Sequence, residues 1–226
     1  MTLKFGAHFL DPAAVRVRFR VDLVRERVDV ALHHPAFLHM GETEQRDAAR
    51  AIAVAAFGED GFERWVGALD ASAAAPDPAV LLEDLERAVR SLSENATGER
   101  FAVAEGKDAR GRPVLVLVNR ALKRIDHRGR DLFLSLEVDL ERPKPDGFPG
   151  PDESRALDAI EAGLLGALRG RAAYLGRVTG AGRRAWHFFA DDGAREDVDA
   201  FASGRALRVT WTRDPGWDAQ RALSAW

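Results

Sequence analysis

The sequence predicts an α+β protein of two small units, residues 1–95 and 100–226, the second a ferredoxin-like βαββαβ sandwich with an antiparallel sheet. Three observations lead there. Asp131 to Leu140 alternates strictly, with Leu132, Leu134, Leu136, Val138 and Leu140 on one face, as a half-buried strand requires. Between such strands lie helical stripes, among them Leu157, Ile160, Leu164, Leu165 and Leu168. Gly- and Pro-rich breaks then separate the elements into short alternating pieces.

In chain order, Val15 to Val21 alternates apolar and basic residues, and Val28, Val30 and Leu32 repeat the period. This predicts a hairpin turning near Arg25-Glu26-Arg27. Glu42 to Phe57 reads as a helix with Ala49, Ile52, Ala53 and Ala56 on one face and Gly58 as its stop. Phe62 to Leu69 reads as a strand and Ala71 to Pro78 as a linker. A helix then opens at Asp77-Pro78, with Leu81, Leu82, Leu85, Ala88, Val89 and Leu92 as its stripe. The first unit is thus ββαβα, and whether it is a second, degenerate sandwich stays open.

In the second unit, Phe101 to Glu105 and Val114 to Val118 read as strands across a Gly-rich turn. Asp131 to Leu140 follows, stopped by the Pro/Gly loop from Pro143 to Pro151. A helix begins at Asp152-Glu153-Ser154 and ends at Gly170. Ala172 to Thr179 and Arg183 to Ala190 pair through Gly180-Ala181-Gly182. A short helix at Asp197 to Ala202, a strand through Leu207, Val209 and Trp211, and a terminal helix from Trp217 to Trp226 complete the order. The helix side of the sheet is expected to hold Leu134, Leu136, Val138, Trp186, Phe188, Val209 and Trp211. The other face is expected to carry Phe133, Ser135, Arg177, His187, Phe189, Arg208 and Thr210.

Composition excludes several function classes. The chain of 226 residues has no cysteine, which removes disulfides, thiolate metal sites and cysteine nucleophiles. Its 33 basic and 36 acidic residues leave a net charge of -3, so no long-range field draws it to a phosphate backbone, and nucleic acid is not an expected partner. No stretch matches a signal peptide or a membrane span, so a cytoplasmic location and no membrane partner are expected. Lys4, Lys107, Lys123 and Lys144 are the only lysines; Arg and Ala dominate, as in the coding of a GC-rich bacterial genome.

Several linked motifs carry a resemblance. Gly147-Phe148-Pro149 stands before Asp152-Glu153, followed by Leu157, Ile160, Glu161 and Leu164. Tyr174-Leu175-Gly176-Arg177-Val178-Thr179 then precedes Gly182-Arg183-Arg184, and Asp214-Pro215-Gly216-Trp217 closes the series. From about Arg112 to Trp226 the chain resembles the bacterial family filed as domain of unknown function 695. Leu10 to Asp70 is similar to the region that commonly precedes that domain. The resemblance implies no activity, because the family's function is not established.

The candidate sites are few. His33, His34 and His39 with Glu42 and Glu44 have metal-ligand chemistry, but adjacent histidines at a strand end point to opposite faces, and the spacing fits no metal signature. No metal and no cofactor are therefore expected. Arg177, Arg183 and Arg184 could grip a phosphate or carboxylate; alternatively Arg177 pairs with Glu137 or Asp139 across the sheet and the other two are solvated at the loop. Phe133, His187 and Phe189 are an aromatic set of the kind on which RNA bases stack, yet two Phe on one face also fit burial under the first unit. Asp152, Glu153 and Glu161 are explained by the helix dipole, and Ser72, Ser91 and Ser93 lie in no nucleophile context.

The reading is a non-catalytic binding or regulatory module with no catalytic residue. Its partner-facing surface is drawn from Phe133, Arg177, Arg183, Arg184, His187, Phe189 and Arg208, and its expected partner is another protein. The alternatives are a metal-dependent hydrolase using His33, His34 and His39, and RNA binding on the open sheet face.

Overall fold

The computed structural model describes residues 2–224. The protein is α+β, and its chain divides into two compact units between Gly98 and Glu99.

The first unit opens with a small hairpin of β1 (Leu3–Phe5) and β2 (His8–Leu10), which lies outside the ββαβα order expected. Then β3 (Arg16–Asp22) pairs antiparallel with β4 (Arg27–His33). Helix α1 (Glu42–Trp65) is longer than its periodicity suggested. Gly58, read as its stop, takes φ 71° and kinks the helix, which then resumes. Phe57, Phe62 and Trp65 all pack on the core, so Phe62 to Trp65 is helical rather than extended. The strand expected there is β5 (Val66–Ser72), parallel to β4. A two-residue β6 (Val80–Leu81) pairs with β3 and leads into α2 (Leu82–Asn95), four residues later than Asp77-Pro78 suggested. The sheet order is β5-β4-β3-β6, and Val17, Val28, Val30 and Leu32 pack with Ala49, Ile52, Leu85 and Val89 of the helices.

In the second unit, β7 (Phe101–Lys107), β8 (Pro113–Asn119), β9 (Leu132–Asp139), α3 (Pro151–Ala167), β10 (Ala172–Gly180), β11 (Arg183–Ala190), α4 (Ala194–Ala202), β12 (Arg208–Arg213) and α5 (Asp218–Ser224) follow in order. The last two residues expected in the terminal helix lie outside the described residues. The sheet is six-stranded, not four-stranded: the order is β12-β9-β11-β10-β8-β7, every neighbouring pair antiparallel. The hairpin of β7 and β8 extends it beyond β10 because Gly176 to Gly180 pairs with Val114 to Val118.

Helices α3 and α4 cover one face. Leu157, Leu164 and Leu168 pack there with Leu134, Leu136, Trp186 and Phe188, and Val198 joins from α4. The two helices approach closely because Gly163 has no side chain: a Cβ there would stand 2.9 Å from the Phe201 ring. On the opposite face Val116, Val118, Leu175 and Phe189 pack under Trp217, with Ala219 and Leu223 of α5 against them.

Candidate functional site

The expected arginine group is split across the sheet. Arg183 reaches Glu137 at 3.2 Å, on the face opposite the helices. Arg177, expected on that same face, lies instead on the helix side, bonded to Glu161 of α3. The cause is an irregularity in β10: the register with β11 shifts between Tyr174 and Gly176, so the alternation changes phase there. Gly176 tolerates this (φ 149°), and a Cβ would collide with the Leu117 carbonyl at 2.0 Å. Arg184 also lies on the helix side.

These side chains meet in a network. The Glu161 carboxylate accepts from Tyr174 OH at 2.9 Å, from Trp186 Nε1 at 3.0 Å and from Arg177 Nη1. Arg184 donates from Nη1 to Asp158 at 2.9 Å and from Nε to Thr179 Oγ1 at 3.0 Å, and Arg177 lies 3.7 Å from Asp158. Two guanidinium groups thus face two carboxylates. Burial, and then the Glu161 charge, push the Tyr174 phenol well above its ordinary range, so it acts as a donor and not as a base.

Glu161 belongs to the α3 stripe, four residues after Leu157 and three before Leu164, and is buried with them. That phase was visible in the sequence. The helix dipole does not account for Glu161, which lies in the third turn, whereas Asp152 and Glu153 do stand in the first. What Glu161 does is fasten α3 to β10 and β11.

On the other face, Arg208 bonds both Glu137 and Asp139, at 2.6 Å to Asp139 Oδ2, so with Arg183 it forms an ion-pair ladder across β12, β9 and β11. The Arg208 hydrogen bond holds the exposed Asp139 carboxyl below its ordinary value. Phe189 is fully buried. Trp217 lies parallel to it with ring centroids 3.9 Å apart, so the cover seen over this ring comes from the unit's own C-terminal segment, and no base can stack there. Trp217 Nε1 donates to the Arg130 carbonyl at 2.9 Å, fixing the indole. Phe133 stacks on His187 at 5.4 Å and leans on Phe189 at 5.7 Å.

His187 is half-buried, and its Nδ1 is enclosed without a hydrogen-bond partner. Burial lowers its pKa to about 4, against a smaller opposing pull from Glu137. A folded pKa below the unfolded value means stability that is complete above about pH 6.5 and is lost as pH falls toward 4. The expected loss is at most roughly 3 kcal/mol, less the solvent screening at a half-buried ring. Thermal melts at pH 7 and pH 4 check this: His187→Phe should lose less melting temperature between the two than the wild type. An equal loss in both would assign the acid sensitivity elsewhere.

His33 and His34 of the first unit are engaged separately. His34 is buried and caps the short turn at Pro35–His39: its Nδ1 lies 3.1 Å from Ala36 N, and its Nε2 lies 3.1 Å from Asp11 N. Both nitrogens thus face backbone N–H groups. His33 Nδ1 lies 3.0 Å from the Ser72 carbonyl. Among the described residues no three His, Asp or Glu side chains are grouped to hold a metal ion.

The remaining motif residues build one corner. Gly147 N bonds the Lys144 carbonyl, and the Gly147 carbonyl accepts from Gly182 N at 2.9 Å, seating the Pro/Gly loop on the β10–β11 turn. A Cβ on Gly147 would stand 3.0 Å from Ala181 N. Among the described residues no helix is long and apolar enough to cross a membrane.

The motifs that carry the resemblance therefore meet in space: Glu161, Tyr174, Arg177, Thr179 and Arg184 in the network, Gly147 and Gly182 at the corner, Trp217 over Phe189. No curated protein and no solved structure matches the chain. A family model described as "Family of unknown function (DUF695)" matches residues 107–220, from the last residue of β7 into α5, and the chain belongs to that family of unknown function.

Proposed function

We propose that the protein is a non-catalytic binding module whose partner is another protein and whose partner-facing surface is the β7–β8 part of the second sheet. The observation that carries this reading is the exposure of Phe101 (44%) and Val103 (63%) on the helix side of the sheet, where β7 and β8 extend it beyond β10. Large apolar side chains standing together in water are a feature of interaction surfaces. Leu115 and Leu117 are half-buried beside them, and Phe101 touches the Tyr174 ring at 5.8 Å, so the patch continues into the Glu161 network. The surface first drawn from the sequence serves less well, since Phe189 is buried and its arginines are paired within the chain.

The order β12-β9-β11-β10 with two crossover helices supports a ferredoxin-like sandwich, to which β8 and β7 add a platform. Capture from an extract of the native host, with mass-spectrometric identification, tests the module. Wild type should retain a protein that Val103→Glu loses, at an unchanged melting temperature. Identical captures by both would overturn the reading.

A further inference from the structure

Within its sheet β7 is an edge strand, with β8 as its neighbour. Arg100 donates its N–H to Asn119 Oδ1, and its carbonyl accepts from Arg120; Asp108 N bonds the Arg112 carbonyl. In an antiparallel pair, successive residues turn their polar groups alternately toward and away from the partner. The even-numbered residues of this stretch therefore face β8, and Phe101, Val103, Glu105 and Lys107 point N–H and C=O outward. No other strand among the described residues pairs with β7. The sheet's other edge is guarded differently: β12 has Arg208 and Arg213 at its ends, and Arg195 lies 4.7 Å over the Trp211 ring. Charged ends protect an edge against strand addition, and the first four residues of β7 carry no charge at all.

We infer, building on the binding-module reading above, that β7 accepts an extended segment of a partner protein as a seventh, antiparallel strand. The four outward residues set that segment's chemistry. Opposite Lys107, Glu105, Val103 and Phe101, in that order along the partner, belong an acidic, a basic and two apolar side chains at every second position. A second copy of this chain fits poorly. Full antiparallel overlap of β7 with itself pairs Val103 with Glu105 and Phe101 with Lys107, setting the apolar half of each strand against the charged half of the other.

The test uses the full chain and a synthetic peptide, acetyl-Glu-Thr-Lys-Thr-Val-Thr-Val-amide, followed by amide hydrogen exchange and by titration. Saturable binding should slow exchange at Phe101, Val103 and Glu105 and leave Ala102 and Ala104 unchanged. Exchanging the Glu and Lys of the peptide should weaken binding several-fold. Val103→Pro removes one outward N–H, is tolerated on an edge, and should weaken binding at least tenfold. A peptide N-methylated at its first Val should fail in the same way, which covers the case of an unfolded Pro variant. Full affinity for the methylated peptide would overturn strand addition while leaving the patch, tested by Val103→Glu, intact. Protection of the β7 amides on concentrating the protein alone, with dimer formation, would overturn it in favour of a second copy.

Discussion

Leu164→Asp is expected to abolish the cooperative melting transition of the second unit. Leu164 is fully buried among Leu134, Leu136, Leu157, Trp186 and Phe188. A carboxylate placed there has no donor to receive it, so it must either remain charged in an apolar core or take up a proton on folding. Either route costs several kcal/mol, against a domain stability of about 5–15 kcal/mol. Leu164→Ala removes the side chain without adding charge and should cost about 2–5 kcal/mol. Leu164→Met, close in volume, should cost less than about 1.5 kcal/mol. Melts followed by circular dichroism check the series. A wild-type transition in Leu164→Asp would show that α3 does not pack on this sheet.

Glu161→Ala carries the next largest effect. It leaves the Tyr174 hydroxyl, the Trp186 indole N–H and one Arg177 N–H without their acceptor, all at a buried position. Removing one partner of a fully buried ion pair typically costs about 3–5 kcal/mol, most of it from the groups left unpaired, and the partial exposure of Arg177 lowers that figure here. Glu161→Gln keeps an amide oxygen for the donors and should recover a large part of that loss. Denaturant melts, with the environment of Trp186 read in the near-ultraviolet, separate the two variants. Equal stability of Glu161→Ala and wild type would mean that Arg177 finds Asp158 as a full substitute, which at 3.7 Å it does not do in the native arrangement.

Much of the architecture is legible along the chain. Asp131 to Leu140 alternates because one face of β9 meets α3 and α4, and the residues on that face, Leu134, Leu136 and Val138, lie in their core. The α3 stripe and the two-residue turn between β10 and β11 follow from local rules in the same way. The motif residues also name their family from order and spacing alone.

The misplacements share a physical origin. Gly58 carries the signature of a helix stop, but packing of Phe62 and Trp65 on the core restores the helix after a kink. Arg177 follows the strand period until the register shift near Gly176 reverses its phase, a change encoded by the close approach of the Leu117 carbonyl and not by any neighbour in sequence. Local pattern alone thus determined which segments are strands and helices and which residues are apolar enough for a core, since period and turn chemistry act over a few residues. Only the tertiary structure decided that Arg177 and Arg184 share two carboxylates of α3, that Trp217 closes over Phe189, and that β7 is the last strand of its sheet. Each of those depends on which distant segment arrives beside a residue, and that is settled by packing across the whole unit.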